Sequence, residues 1–315
     1  TADPEERGST DMTVAQAMTF AVYRLDEGNF KDDPETEAAL RDIIGTILLN
    51  NGKAVEAEPQ VRRALEVREK LFPGDHATVA DSLVNLGAVA AALGKTAEAE
   101  SSRRRATEVL QRLSPGDDPR KVSALAGLGL TLKEQGRLDE AEDKLVRALD
   151  MQRRLRAGDH EELAIALNNM ATLRADQGRL EEAERIFREV LAMSQRLRPG
   201  DSPAAATALT NLANVLKNEG KLEDSVEAYT RGLDMQRRLY VGDHRSTSVS
   251  LGGLATLRLA QGKLDDAQRL NSEALAMRER LGKGDHPDIA ESLNNQAAIA
   301  SAMGRAEESE SLYRR

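Results

Sequence analysis

Apolar residues in this chain recur at helical spacing, and one run of apolar, small and polar positions returns every 42 residues. In one copy Leu125, Leu128 and Leu132 share a helix face, and Ala141, Leu145, Ala148, Leu149 and Met151 share another. Asp118 and Pro119 mark the start of the first helix, where proline's missing N–H costs nothing. Gly136 ends it, since glycine readily takes the left-handed conformation that follows a helix. A second helix is predicted from about Leu138 to Leu155, and Ala157-Gly158-Asp159 turns into the next copy. No strand-like alternation occurs, so the expected fold is all-α.

A glycine followed by a basic residue marks every copy, at Gly52, Gly94, Gly136, Gly178, Gly220, Gly262 and Gly304. A Gly-Asp pair keeps the same step at Gly74, Gly116, Gly158, Gly200, Gly242 and Gly284. Self-similarity at a fixed period signals a solenoid, in which each unit packs on its neighbours. The expectation is a right-handed α–α superhelix of about seven helix pairs over residues 33–315. Residues 1–10 read as a disordered leader and 11–32 as a capping helix, with a capping box at Thr13 to Gln16. Val14, Met18, Val22 and Leu25 form that helix's inward face. The last pair stops at Arg315, soon after Tyr313, so fraying over 309–315 or end-to-end self-association is expected there.

Small residues hold fixed places in the repeat. One series reads Gly45, Gly87, Gly129, Ala171, Ala213, Ala255, Ala297. A second reads Ala57, Ala99, Ala141, Ala183, Ser225, Ala267, Ser309, and a third Ala64, Ala106, Ala148, Val190, Gly232, Ala274. Helices approach closely only where no side chain intervenes, so these mark crossings. Leu145, Phe187, Tyr229 and Tyr313 share a bulky neighbouring site.

Composition narrows the function. The net charge of −9 and an aromatic content of 3% argue against a nucleic-acid partner. The arginine runs Arg103–Arg105 and Arg237–Arg238 have acidic neighbours and read as solvated faces. With no cysteine, disulfides and thiolate metal sites are excluded, while the compartment is left open. No apolar run reaches the roughly 20 residues of a membrane helix, so direct membrane insertion is not expected. The chain opens on Thr1 and reads as an excised fragment, cytoplasmic by default, or extracytoplasmic if a membrane helix precedes it.

A helix pair with small residues at these places resembles the tetratricopeptide repeat, and its 42-residue period resembles the kinesin light chain type. Gly284-Asp285-His286-Pro287 followed by Leu293-Asn294-Asn295 carries the likeness, as does Gly158-Asp159-His160 with Leu167-Asn168-Asn169-Met170-Ala171. Thr13-Val14, Leu25-Asp26, Pro34 to Arg41 and Gly45 resemble the start of such repeats in bacterial Ser/Thr protein kinases, although no kinase motif is present. These resemblances imply a protein-interaction scaffold or, alternatively, the regulatory, sensory or self-associating tail of a signalling kinase. They also imply that the first helices line a concave groove.

One groove position is asparagine in four copies, at Asn85, Asn169, Asn211 and Asn295, and Ile43, Gly127 and Gly253 in the others. Asparagine gives up to roughly 0.7 kcal/mol of helix propensity against alanine. Its repetition fits a ladder of amides that hydrogen-bond an extended peptide, joined by Asn168, Thr210, Asn214, Lys217 and Asn218. It fits equally amides that bond neighbouring helices and stabilise the stack. The positions where some tetratricopeptide proteins carry a basic carboxylate clamp are Ala92, Glu134, Asp176, Asn218, Ala260 and Ala302, none basic. His76, His160, His244 and His286 share a loop position and read as helix-start residues beside capping aspartates, not metal ligands. Met151, Met193, Met235 and Met277 read as core filler. No catalytic set, metal site or cofactor motif is expected.

Overall fold

A computed structural model describes residues 14–281 and 287–314, among which lie fifteen helices and no strand. The leader at 1–10, Thr13, Gly284-Asp285-His286 and Arg315 lie outside the described residues. Helix α1 (Val14–Asp26) packs on α2 (Pro34–Asn50), placing Leu25 in the core with Met18 and Val22 against it. The remaining helices form pairs: α2 with α3 (Ala54–Leu71), α4 (Ala77–Ala92) with α5 (Thr96–Leu113), α6 (Pro119–Glu134) with α7 (Leu138–Leu155). Then come α8 (Glu161–Asp176) with α9 (Leu180–Leu197), and α10 (Pro203–Asn218) with α11 (Leu222–Leu239). The last are α12 (Arg245–Ala260) with α13 (Leu264–Leu281) and α14 (Pro287–Ala302) with α15 (Ala306–Tyr313). The chain divides into two compact units, one ending at Leu155 and the other starting at Arg156.

The turn inside each pair is set by backbone conformation. The seven repeat glycines have φ between +69° and +77°, where a side chain would be strained. Elsewhere glycine serves close approach. A Cβ on Gly45 would lie 2.5 Å from Val61 Cγ1, and one on Gly129 would lie 2.7 Å from Leu145 Cγ. Alanine opposite these keeps the crossing tight: Ala57, Ala99, Ala141, Ala183 and Ala267 are fully buried. Where serine replaces it, the hydroxyl bonds across the pair, Ser225 Oγ donating to the Ala213 carbonyl at 2.6 Å and Ser309 Oγ to Ala297 at 2.9 Å.

Two local expectations need correction. The loop aspartates are not the helix caps; the histidines after them are. The ring Nδ1 of His160 accepts from the Leu163 N–H at 3.1 Å, and that of His244 from the Ser246 N–H at 3.2 Å. The aspartates instead hold arginines at the end of the following second helix, as in Asp117–Arg154 (2.8 Å), Asp159–Arg196 (2.6 Å) and Asp243–Arg280 (2.6 Å). These pairs are exposed and individually worth little. In α7, Gln152 is buried and Met151 only half-buried.

Candidate functional site

Within each unit the first helices touch one another, α2 with α4 and α4 with α6, and α8 with α10, α10 with α12, α12 with α14. Among the described residues no such contacts join second helices. The first-helix layer is therefore the inner one in each unit, and the asparagine series lies on it.

The asparagines have different fates. In the first unit Asn85 hydrogen-bonds Asp42, which also accepts from Ser82 Oγ at 2.8 Å and pairs with Arg68. Burial pushes the Asp42 carboxyl up, against the pull of the Arg68 charge and these bonds. The other candidates lie in the second unit. Asn211 Nδ2 donates to Asn168 Oδ1 at 3.3 Å, linking α10 to α8. Asn214 accepts the Tyr229 hydroxyl at 2.6 Å and donates to the Thr210 carbonyl at 3.3 Å. Asn169, Lys217 and Asn218 are half-buried or exposed, and none makes a side-chain hydrogen bond among the described residues. Asn295 keeps a buried Nδ2 without a partner.

Thr210, expected among the amides of the groove, is not presented to it. It is buried, and its hydroxyl is committed to Ala206 O (3.1 Å), Ser250 Oγ (2.9 Å) and Gln236 Nε2 (3.3 Å). Its position in the helix turns it toward α11 and α12, which spacing along one helix does not reveal.

A feature absent from the sequence reading adjoins Asn168. A cavity of about 400 Å³ opens between the start of α8, the end of α9 and the start of α10. Ala164, Ile165, Leu197, Pro203 and Ala204 give it an aliphatic wall. Ile165 is 55% exposed at its mouth, unusual for a large aliphatic residue on a helix that buries its neighbours. Arg198 and Glu161 pair at 3.2 Å on the rim.

The arrangement offers neutral amides and one apolar recess, with no group of ligating side chains fit for a metal among the described residues. No helix there is long and apolar enough to cross a membrane. The repeat itself matches a known family: the tetratricopeptide repeat family model matches residues 35–112, 120–196, 204–280 and 255–315. The chain belongs to the tetratricopeptide repeat family. A second tetratricopeptide repeat model matches residues 168–238. No curated protein matches the sequence.

Solved structures agree on the tetratricopeptide fold. BtubC (BKLC) from P. vanneervenii is 25% identical, with 70% of this chain and 89% of that one covered and a TM-score of 0.59. A putative kinesin light chain from Podosopora anserina with nearly identical TPR-like repeats is 20% identical, over 62% of this chain and 92% of that one, at TM-score 0.52. A Rap protein complexed with Competence and Sporulation Factor is 17% identical, over 98% and 87%, at TM-score 0.64. The latter two likenesses show the fold alone. The chain is thus a tetratricopeptide repeat protein whose structural neighbours include a putative kinesin light chain, and its fold is of a non-catalytic scaffold type.

Proposed function

We propose that this protein-interaction scaffold captures an extended segment of a protein partner on the first-helix face of its second unit, and that it is not an enzyme. The observation that carries this reading is the set of unpaired polar groups beside paired ones. Asn168 and Asn211 bond one another, and Asn214 is fixed by Tyr229, so these amides stabilise the stack. Asn169, Lys217 and Asn218 lie on the same helices without partners. An amide that both donates and accepts suits a peptide backbone, whose N–H and C=O alternate. Apart from Lys217 the ladder residues are neutral, which favours backbone recognition over charge readout.

The regulatory kinase tail is a second reading, carried by the likeness of Thr13-Val14, Leu25-Asp26, Pro34 to Arg41 and Gly45 alone. A library of extended peptides selected on the immobilised chain tests the groove reading. Selected peptides should lose at least tenfold in affinity to Asn169→Ala/Asn218→Ala, with the melting midpoint unchanged. Undiminished binding to that variant would contradict the assignment.

A further inference from the structure

The cavity between α8, α9 and α10 lies where the copies after α3 and α11 carry three side chains that are replaced here; the copy after α5, with Leu110, Ser114 and Asp118, lacks them too. One turn before the end of the second helix stand Arg68, Gln236 and Arg278 in three copies and Leu110 and Gln152 in two others; Arg68 and Arg278 reach across to the next first helix, and Gln236 reaches back to the first helix of its own pair. Arg68 reaches Ser82 Oγ at 2.7 Å, Gln236 reaches Thr210 Oγ1 at 3.3 Å, and Arg278 reaches Ser292 Oγ at 2.7 Å. The corresponding residue at the cavity is Ser194, too short to span the gap.

The second and third changes remove a stacked pair of rings. Phe72 stacks on His76 with centroids 3.8 Å apart and planes 7° from parallel, and Tyr240 stacks on His244 at 3.6 Å and 6°. Those positions are Arg198 and Ser202 at the cavity. Ser202 still caps its helix, accepting from the Ala205 N–H at 3.1 Å, so the backbone is kept while the rings are lost. The volume left, about 400 Å³, lies within the roughly 300–1,000 Å³ over which proteins hold small ligands.

A second observation marks this as a receiving site. Ser194 is 6% exposed, lines the cavity, and its Oγ has no hydrogen-bond partner. Buried hydroxyls are ordinarily satisfied, so this one lacks something the site is built to meet. Arg198 sits on the rim with its side chain 66% exposed, able to lie over an aromatic face while keeping its pairing with Glu161.

We propose that the cavity receives one aromatic side chain from the partner segment, restoring in trans the ring that Phe72 and Tyr240 supply from within the chain in two other copies. This deepens the groove reading and rests on it for the partner. Asn168 belongs to both features, since it lines the cavity and accepts from Asn211, so a segment lying along the amides can place a side chain in the recess.

The test uses N-acetyl-tyrosinamide as probe and N-acetyl-leucinamide as rival, read by NMR at the methyl groups of Ala164, Ile165, Leu197 and Ala204 in the whole chain. The expected result is saturable shifts with the tyrosine probe and several-fold weaker binding of the leucine probe. Arg198→Tyr/Ser202→His should rebuild the internal stack, keep or raise the melting midpoint, and weaken the tyrosine probe at least tenfold. Should that variant misfold, Ser194→Gln closes the recess by a different route and should show the same loss. Absence of saturable shifts, preference for the leucine probe, or unchanged binding in the refilled variants would overturn the proposal. Failure of the groove reading looks different: peptides would ignore Asn169→Ala/Asn218→Ala while the tyrosine probe still titrated the cavity methyls.

Discussion

The ring of Tyr229 fills the space that a side chain at Gly253 would need, so a Cβ there would overlap the tyrosine hydroxyl. Arg103 stands in the same relation to Gly127, where a Cβ would lie 3.0 Å from Nε. Thus the asparagine series is interrupted by glycine where the preceding second helix carries a long residue that ends in a polar group at that site, Arg103 or Tyr229. Where that residue is Leu145 or Phe187, the next first helix keeps Asn169 or Asn211.

This pairing is testable by a double-mutant cycle. Gly253→Ala should cost about 1–3 kcal/mol by overpacking. In a Tyr229→Leu background the same change should cost much less, because a leucine there leaves room. Urea denaturation of the four proteins measures both terms. Equal costs in the two backgrounds would mean that the space is not shared.

Ala141 is fully buried at the crossing of α6 and α7, and its carbonyl lies 3.3 Å from where a Gly129 Cβ would stand. Ala141→Leu should therefore lower stability by about 1–3 kcal/mol. An unchanged melting midpoint would remove Ala141 from the interface.

Much of this packing was legible in the sequence, for reasons specific to each residue type. Gly136 or Gly220 at a helix end has one common cause, a left-handed backbone, so position alone identified the turns. The buried small series was legible because only a close crossing demands small residues in every copy. The histidine caps were not, since aspartate beside them is the stronger capping residue and the engagement of Asp159 with Arg196 depends on a helix 37 residues away. Thr210 was misplaced because helical period fixes a face, while Ser250 and Gln236 come from other helices. The cavity left no trace in the apolar pattern. Ser194, Arg198 and Ser202 are each ordinary, and only their convergence opens a space.

Acid should act through Glu100. Hydrogen bonds from Gln135 (2.9 Å), Arg104 and Arg137 (2.8 Å) hold its carboxyl down at about 2, against an ordinary 4.5. Because folding lowers this pKa, the stabilisation is complete above pH 4.5 and drains away as pH falls towards 2. Glu100→Gln should be less stable than the parent at neutral pH, and the gap should close through that window. A gap that stays constant on acidification would mean that the charge of Glu100 does not hold the two helix pairs together.

Whether partner segments lie on the first-helix face of the second unit is measured by hydrogen–deuterium exchange with a library-selected peptide bound. Protection is predicted in α8, α10 and the turn from Arg198 to Ser202, with α9 and α11 little changed before their last turns. Protection confined to the second helices, or to α2 through α7, would contradict that placement.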